Sequence, residues 1–178
     1  MISLFIQRDM ERLLRKKNFT VLEGFALHTP ENYPPMIIGG MAMDDSPGPK
    51  ELMDFKGFVE RLASRLKEAE KGRPMKSVKL GNPWLGWIPA PSRRMSKNSM
   101  GFQLVDTSLC IQCRTCEHSC PYQAITLQPF PMFDHIKCFG CWACFNRCPR
   151  QAIYTTKIRG QGHYPKPLPQ LLEKLLNL

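Results

Sequence analysis

Eight cysteines are crowded into residues 110–148 of this chain, and they fall in two identical frames. Cys110, Cys113, Cys116 and Cys120 are followed by Pro121, and Cys138, Cys141, Cys144 and Cys148 by Pro149, each a C-x2-C-x2-C-x3-C-P run. Set against each other at an offset of 28, residues 110–125 and 138–153 agree at eight of sixteen positions. Besides the cysteines the matches are the proline and the Gln-Ala-Ile that follows one residue later, so the segment is an internal repeat. Thiolates are soft donors that suit iron and zinc. A disulfide framework needs an oxidising compartment, and the apolar start of the chain is broken at once by Arg8, Asp9 and Glu11, unlike an export signal. Two zinc ions usually take two separated C-x2-4-C knuckles each. Three thiolates at steps of three residues instead wrap a short loop around three corners of a cubane, and the fourth, ahead of proline, reaches a second cluster. The spacing favours iron–sulfur over zinc.

The frames then assign the ligands. One 4Fe–4S cluster takes Cys110, Cys113, Cys116 and Cys148; the other takes Cys138, Cys141, Cys144 and Cys120. Crossed ligation draws both into one body, close enough for electrons to pass. The elements that must position them are short. Residues 101–106, 124–127, 132–134 and 152–155 read as strands, and residues 117–120 as about one helical turn. Ile111, Tyr122, Phe130, Phe133, Phe139, Trp142 and Phe145 are available to keep water from the clusters.

The whole chain has 178 residues, enough for one average domain or two small ones, and 43% of them are hydrophobic, enough to bury a core. Its uncharged stretches are interrupted by prolines and fall short of a bilayer span, so the expectation is a soluble, cytoplasmic protein without membrane contact. The net charge is +10. Between Glu70 and Asp106 there is no acidic residue, while Lys71, Arg73, Lys76, Lys79, Arg93, Arg94 and Lys97 are basic. A solvated basic linker is preferred here to a dedicated patch, and no nucleic-acid-binding signature accompanies the charge.

Ahead of that linker, an apolar face made by Ile6, Met10, Leu13 and Leu14 predicts a first helix. Residues 19–27 form a near-continuous apolar run, as in a strand covered on both faces. Residues 28–35 read as a loop, and Leu52, Phe55, Val59, Leu62 and Leu66 as the stripe of a second helix after Pro49. Pro83-Trp84-Leu85-Gly86-Trp87 is too apolar for a free linker and is expected to pack on one of the bodies. Residues 165–169 read as extended, and residues 170–178 as a short amphipathic helix. His28, His118, His135 and His163 share no spacing and are read as structural; no nucleophile–base pair or paired carboxylates stand out.

On its cysteine runs, residues 101–156 resemble the two-cluster bacterial-type ferredoxins. Two departures stand out: Arg114 and Trp142 occupy the position after the second cysteine, where many members have Gly, and this segment is basic where many are acidic. With residues 26–33, the Cys-Trp-Ala-Cys and Cys-Pro-Arg-Gln-Ala-Ile of the second motif, and the Gly162-His163-Tyr164-Pro165 tail, the chain resembles the flavodoxin–ferredoxin fusion proteins of anaerobes. The resemblance implies an α+β chain: a partial flavodoxin-like helix–strand–helix over 1–72, a basic linker over 73–100, a duplicated ferredoxin-like two-cluster module over 101–158 and a tail over 159–178. The flavodoxin phosphate loop and early strands have no counterpart, so FMN is not expected to be held by this chain. Tyr33 sits where that fold stacks an aromatic on flavin, and it is read instead as a rim residue packing on its own loop. A start upstream of Met1, a partner, or docking on the cysteine body would cover the lone strand. The expected function is low-potential electron transfer to a redox protein or enzyme with an acidic docking surface. Two alternatives stay open: the electron-delivering component of a flavoprotein oxidoreductase, with flavin on a missing part or a partner, and a nucleic-acid-binding module with structural clusters.

Overall fold

The computed structural model of the chain describes residues 2–80, 92–164 and 167–177, and the apolar segment at Pro83–Trp87 lies outside them. The chain has mixed helices and small sheets and divides into two units: residues 1–29, 45–90 and 170–178, and residues 30–44 and 91–169.

In the first unit, α1 (Ile2–Lys16) ends on Arg15 and Lys16, whose charges suit the negative end of a helix. Its buried Glu11 accepts hydrogen bonds from Arg15 Nε and from the Leu80 backbone N–H, both at 2.6 Å. The Leu80 N–H is the main reason that carboxyl is held below its ordinary range. Residues 19–27 form no strand and no helix. The reason is the absence of a ladder: among the described residues their backbone meets residues 77–80 only through Val21, which accepts from the Val78 N–H at 2.8 Å and donates to Ser77 Oγ at 3.0 Å. Phe25 of that segment packs on Phe55 and Phe58 of α3 (Pro49–Glu70), with ring centroids 5.7 and 5.4 Å away. Pro49 opens α3 and Glu51 accepts from the Gly48 N–H at 2.9 Å, but no residue of this helix is buried. The expected strand over 19–27 is thus corrected to an irregular segment that follows α1.

The second unit is built on two antiparallel strand pairs. β1 (Gln103–Val105) pairs with β4 (Ile153–Thr155), Leu104 opposite Tyr154, and β2 (Ile125–Leu127) pairs with β3 (Pro131–Phe133), Thr126 opposite Met132. Between β1 and β2 lies α5 (Thr115–His118), and between β3 and β4 lies α6 (Ala143–Arg147), so strand, loop, short helix, strand occurs twice. Pairing the first strand with the last closes the chain around a core of Met100, Ile125, Trp142, Phe145, Ile153 and Ile158. Burying a side chain such as Phe145 contributes about 2–3 kcal/mol.

Two further helices of this unit begin or lie where the sequence reads as loop (28–35) and linker (73–100). α2 (Pro34–Ile38) starts on two prolines, which are favourable in a first turn. α4 (Arg93–Met100) is capped by Ser92, whose Oγ accepts from the Met95 N–H at 3.2 Å, and is anchored by Met100, only 1% exposed. The last helix, α7 (Pro169–Leu176), follows the amphipathic reading of the tail. Among the described residues no helix is long and apolar enough to cross a membrane.

Candidate metal centre

Each three-cysteine loop is prepared by an aspartate. Asp106 and Asp134 end the strands ahead of the loops and accept, through their backbone oxygens, from the Cys110 N–H (3.1 Å) and the Cys138 N–H (2.9 Å). Each side chain also closes an Asx turn: Asp106 Oδ1 accepts from Ser108 N–H at 3.1 Å, and Asp134 Oδ1 from Ile136 N–H at 2.8 Å. Each aspartate's own N–H crosses to the other half, to Ala152 O and to Ala124 O, both at 2.8 Å. The aspartates stand 28 apart, the offset of the cysteine repeat. Extending the alignment upstream would have found them.

The loops then turn through left-handed backbone at matching places. Gln112, Arg114 and Gln123 have φ of 54°, 60° and 49°; Gly140, Trp142 and Gln151, each 28 residues on, have 77°, 63° and 51°. A non-glycine residue there is strained by about 1–2 kcal/mol. Arg114 and Trp142 keep this turn without glycine, each just ahead of its short helix. Arg114 is held by Glu117 at 2.9 Å, and Glu117 in turn accepts from the Leu127 N–H at 3.0 Å, tying α5 to β2. Trp142 is held by burial, at 3% exposed.

The eight cysteines come together in two sets drawn from both frames. Cys110, Cys113, Cys116 and Cys148 line one hollow, closed behind by Leu127 and Ile153. Cys120, Cys138, Cys141 and Cys144 line a second, with Met100, Ile125, Phe133 and Trp142. Backbone N–H groups are already aimed at the sulfurs: Ala124 donates to Cys120 Sγ at 3.3 Å, Ala152 to Cys148 Sγ at 3.2 Å and Gly140 to Cys138 Sγ at 3.4 Å. Thr115 lies 3.3 Å from Cys113 Sγ, and this contact is the first cause of a lowered Cys113 thiol pKa. Elsewhere burial wins. It pushes Cys116 up to about 11 and raises Cys138 and, furthest, Cys144. The hollows adjoin, because α5, which carries Cys116, packs against α6, which carries Cys144. Burial disfavours the bare thiolates of Cys116, Cys138 and Cys144, and a bound cation is what offsets such a cost.

The apolar shield is uneven. Phe145 is fully buried and Trp142 nearly so, whereas Ile111 is 59% exposed at the mouth of the first hollow, and Tyr122, 40% exposed, stacks on Phe139 at 5.1 Å. The indole N–H of Trp142 is buried without a hydrogen-bond partner, in the residue that lines the second hollow. Tyr33 does not rest on its own loop. It meets Trp142 edge-on at 6.2 Å, and its hydroxyl bonds Ser99 Oγ. Asn146 of α6 donates to Asn32 O at 2.8 Å and accepts from the Tyr164 N–H at 3.1 Å, and His163 stacks on Phe145 at 3.9 Å. Residues 32–33 and 163–164 therefore brace the second loop, and burial holds His163 below its ordinary pKa range.

Residues 109–153, which contain all eight cysteines, match a family described as a 4Fe-4S dicluster domain. No curated protein matches the chain. The match supports 4Fe–4S binding by the cysteine segment and, with it, a role in electron transfer.

Proposed function

We propose that this protein is a low-potential one-electron carrier with two 4Fe–4S clusters, one held by Cys110, Cys113, Cys116 and Cys148 and the other by Cys120, Cys138, Cys141 and Cys144. The observation that carries the reading is the gathering of the thiols into two quartets, each with three ligands from one frame and the last from the other. The donor set fits: four soft thiolates per hollow, with backbone N–H groups of residues 124, 140 and 152 turned toward sulfur.

A cubane held this way supplies reversible uptake of one electron. The chain supplies the rest. Trp142, Phe145, Ile125 and Ile153 exclude water from behind the thiolates, which lowers the local dielectric and strengthens every charge interaction there. The N–H donors stabilise added negative charge on sulfur. Crossing of Cys120 and Cys148 between frames would tie both centres to one body, and the packing of α5, which carries Cys116, against α6, which carries Cys144, would bring them near each other for exchange. The segment carries more basic residues than acidic ones, so the reduced state is favoured more than in an acidic relative of the same architecture.

Anaerobically prepared protein tests this directly. The reading predicts about eight iron and about eight sulfide per chain and two one-electron couples in a redox titration. Stoichiometric zinc without iron would overturn it.

A further inference from the structure

The carrier reading leaves open where electrons enter and leave. Beside the second hollow runs an open groove floored by Gln103 and Cys138 and flanked by Arg93, Arg94, Lys97 and Lys157. No carboxylate lines it. Among the described residues none of these four cations is paired with an acidic side chain. Arg93 donates to Cys138 O at 3.2 Å and to Ile136 O, Lys97 to His135 O and Lys157 to Asn98 O. Backbone carbonyls orient these charges without cancelling them. Two apolar side chains line it beside the cations: Ile136, 85% exposed, and Phe102, 58% exposed and packed edge-on to His135 at 4.9 Å. Cys138 and Gln103 line both the groove and the second hollow.

We propose that this groove is the docking site of an acidic redox protein, and that electrons cross at Cys138; this rests on the carrier reading above. The charge selects an acidic partner and speeds its encounter. Exposed apolar side chains among unpaired cations suit a protein interface, whereas a small anion or a nucleic acid backbone makes no use of a nearly bare isoleucine. In the exchange one electron leaves the partner's reduced centre and is taken up at the centre held by Cys120, Cys138, Cys141 and Cys144, or the reverse. No bond is made or broken and no proton moves.

The test uses the full-length holoprotein and two reductants: a photoreduced [2Fe–2S] ferredoxin of net negative charge, and photoreduced deazariboflavin, which is small and uncharged. Stopped-flow rates are compared for wild type, Arg94→Glu/Lys157→Glu, Ile136→Ser, and the charge-matched Lys17→Glu/Lys56→Glu, whose residues do not line the groove. The inference expects the wild-type rate with the protein reductant to fall as salt rises. It expects Arg94→Glu/Lys157→Glu to slow that reaction about tenfold or more and to flatten its salt dependence, with the deazariboflavin rate and iron content unchanged. Ile136→Ser should slow it with the salt dependence kept, and carries the test alone if the charge variant does not assemble. Equal slowing by Lys17→Glu/Lys56→Glu would overturn the groove, as would no slowing by either groove variant. Loss of oligonucleotide binding in Arg94→Glu/Lys157→Glu with an unchanged protein rate would assign the surface to nucleic acid and overturn it also. Failure of the wild type to take electrons from deazariboflavin would instead sink the carrier reading.

Discussion

Gly140 is pressed against the backbone of Ser96: a methyl group on its Cα would stand 2.8 Å from the carbonyl carbon and oxygen of that residue and 2.9 Å from the Lys97 nitrogen. This contact seats α4 on the second cysteine loop, and a φ of 77° is a left-handed conformation that glycine adopts without strain. Gly140→Ala should therefore destabilise the holoprotein by about 2–3 kcal/mol, the left-handed penalty plus the clash with unyielding backbone. Thermal unfolding and iron retention check it. The loss should fall on the centre held by Cys138, Cys141 and Cys144 and spare the other.

Trp142 offers its second loop a buried indole N–H with no partner among the described residues. A donor turned toward a thiolate or sulfide stabilises the reduced, more negative state. Trp142→Phe keeps much of the apolar ring and removes the donor, so it should lower the potential of one couple and leave the second in place. Voltammetry separates the two. A raised potential, or equal shifts in both couples, would remove the indole from this role.

Arg114 and Arg150 flank the first hollow. Arg114→Glu/Arg150→Glu should lower the potentials, by tens of millivolts at most, because both side chains are exposed and solvent screens them. Glu117 already holds Arg114 at 2.9 Å, so Arg150→Glu alone should give the larger part of the shift. Unchanged or raised potentials would mean that burial and sulfur hydrogen bonds set the values.

The grouping of the cysteines was legible in the sequence: the repeat puts Cys120 with Cys138 and Cys148 with Cys110, and the same sets line the two hollows. The four short strands and the helices α1, α3 and α7 follow from periodicity in the same way. Residues 19–27 misled because an apolar run guarantees neither a pairing partner nor full burial: of these residues only Val21 is buried, and Phe19 is exposed. Residues 93–100 were hidden because Arg93, Arg94 and Lys97 look like a solvated linker, while the features that make them a helix, the Ser92 cap and the buried Met100, depend on tertiary packing. The left-handed turns at Arg114 and Trp142 carry no sequence signal, since glycine ordinarily marks them; a salt bridge and burial hold them instead.

The crossed assignment of Cys120 and Cys148 is the centre of the account, and single serine variants test it most directly. Cys148→Ser should damage the same centre as Cys113→Ser, with the same couple shifted or lost, and Cys120→Ser the same centre as Cys141→Ser. Because ligands to one centre act as a unit, Cys113→Ser/Cys148→Ser should lose no more iron than the worse of its two parents, while Cys113→Ser/Cys120→Ser should damage both. The measurement is iron content and the pair of potentials across these variants. If Cys148→Ser instead perturbs the centre that Cys141→Ser perturbs, each frame holds its own cluster and the crossed arrangement is wrong.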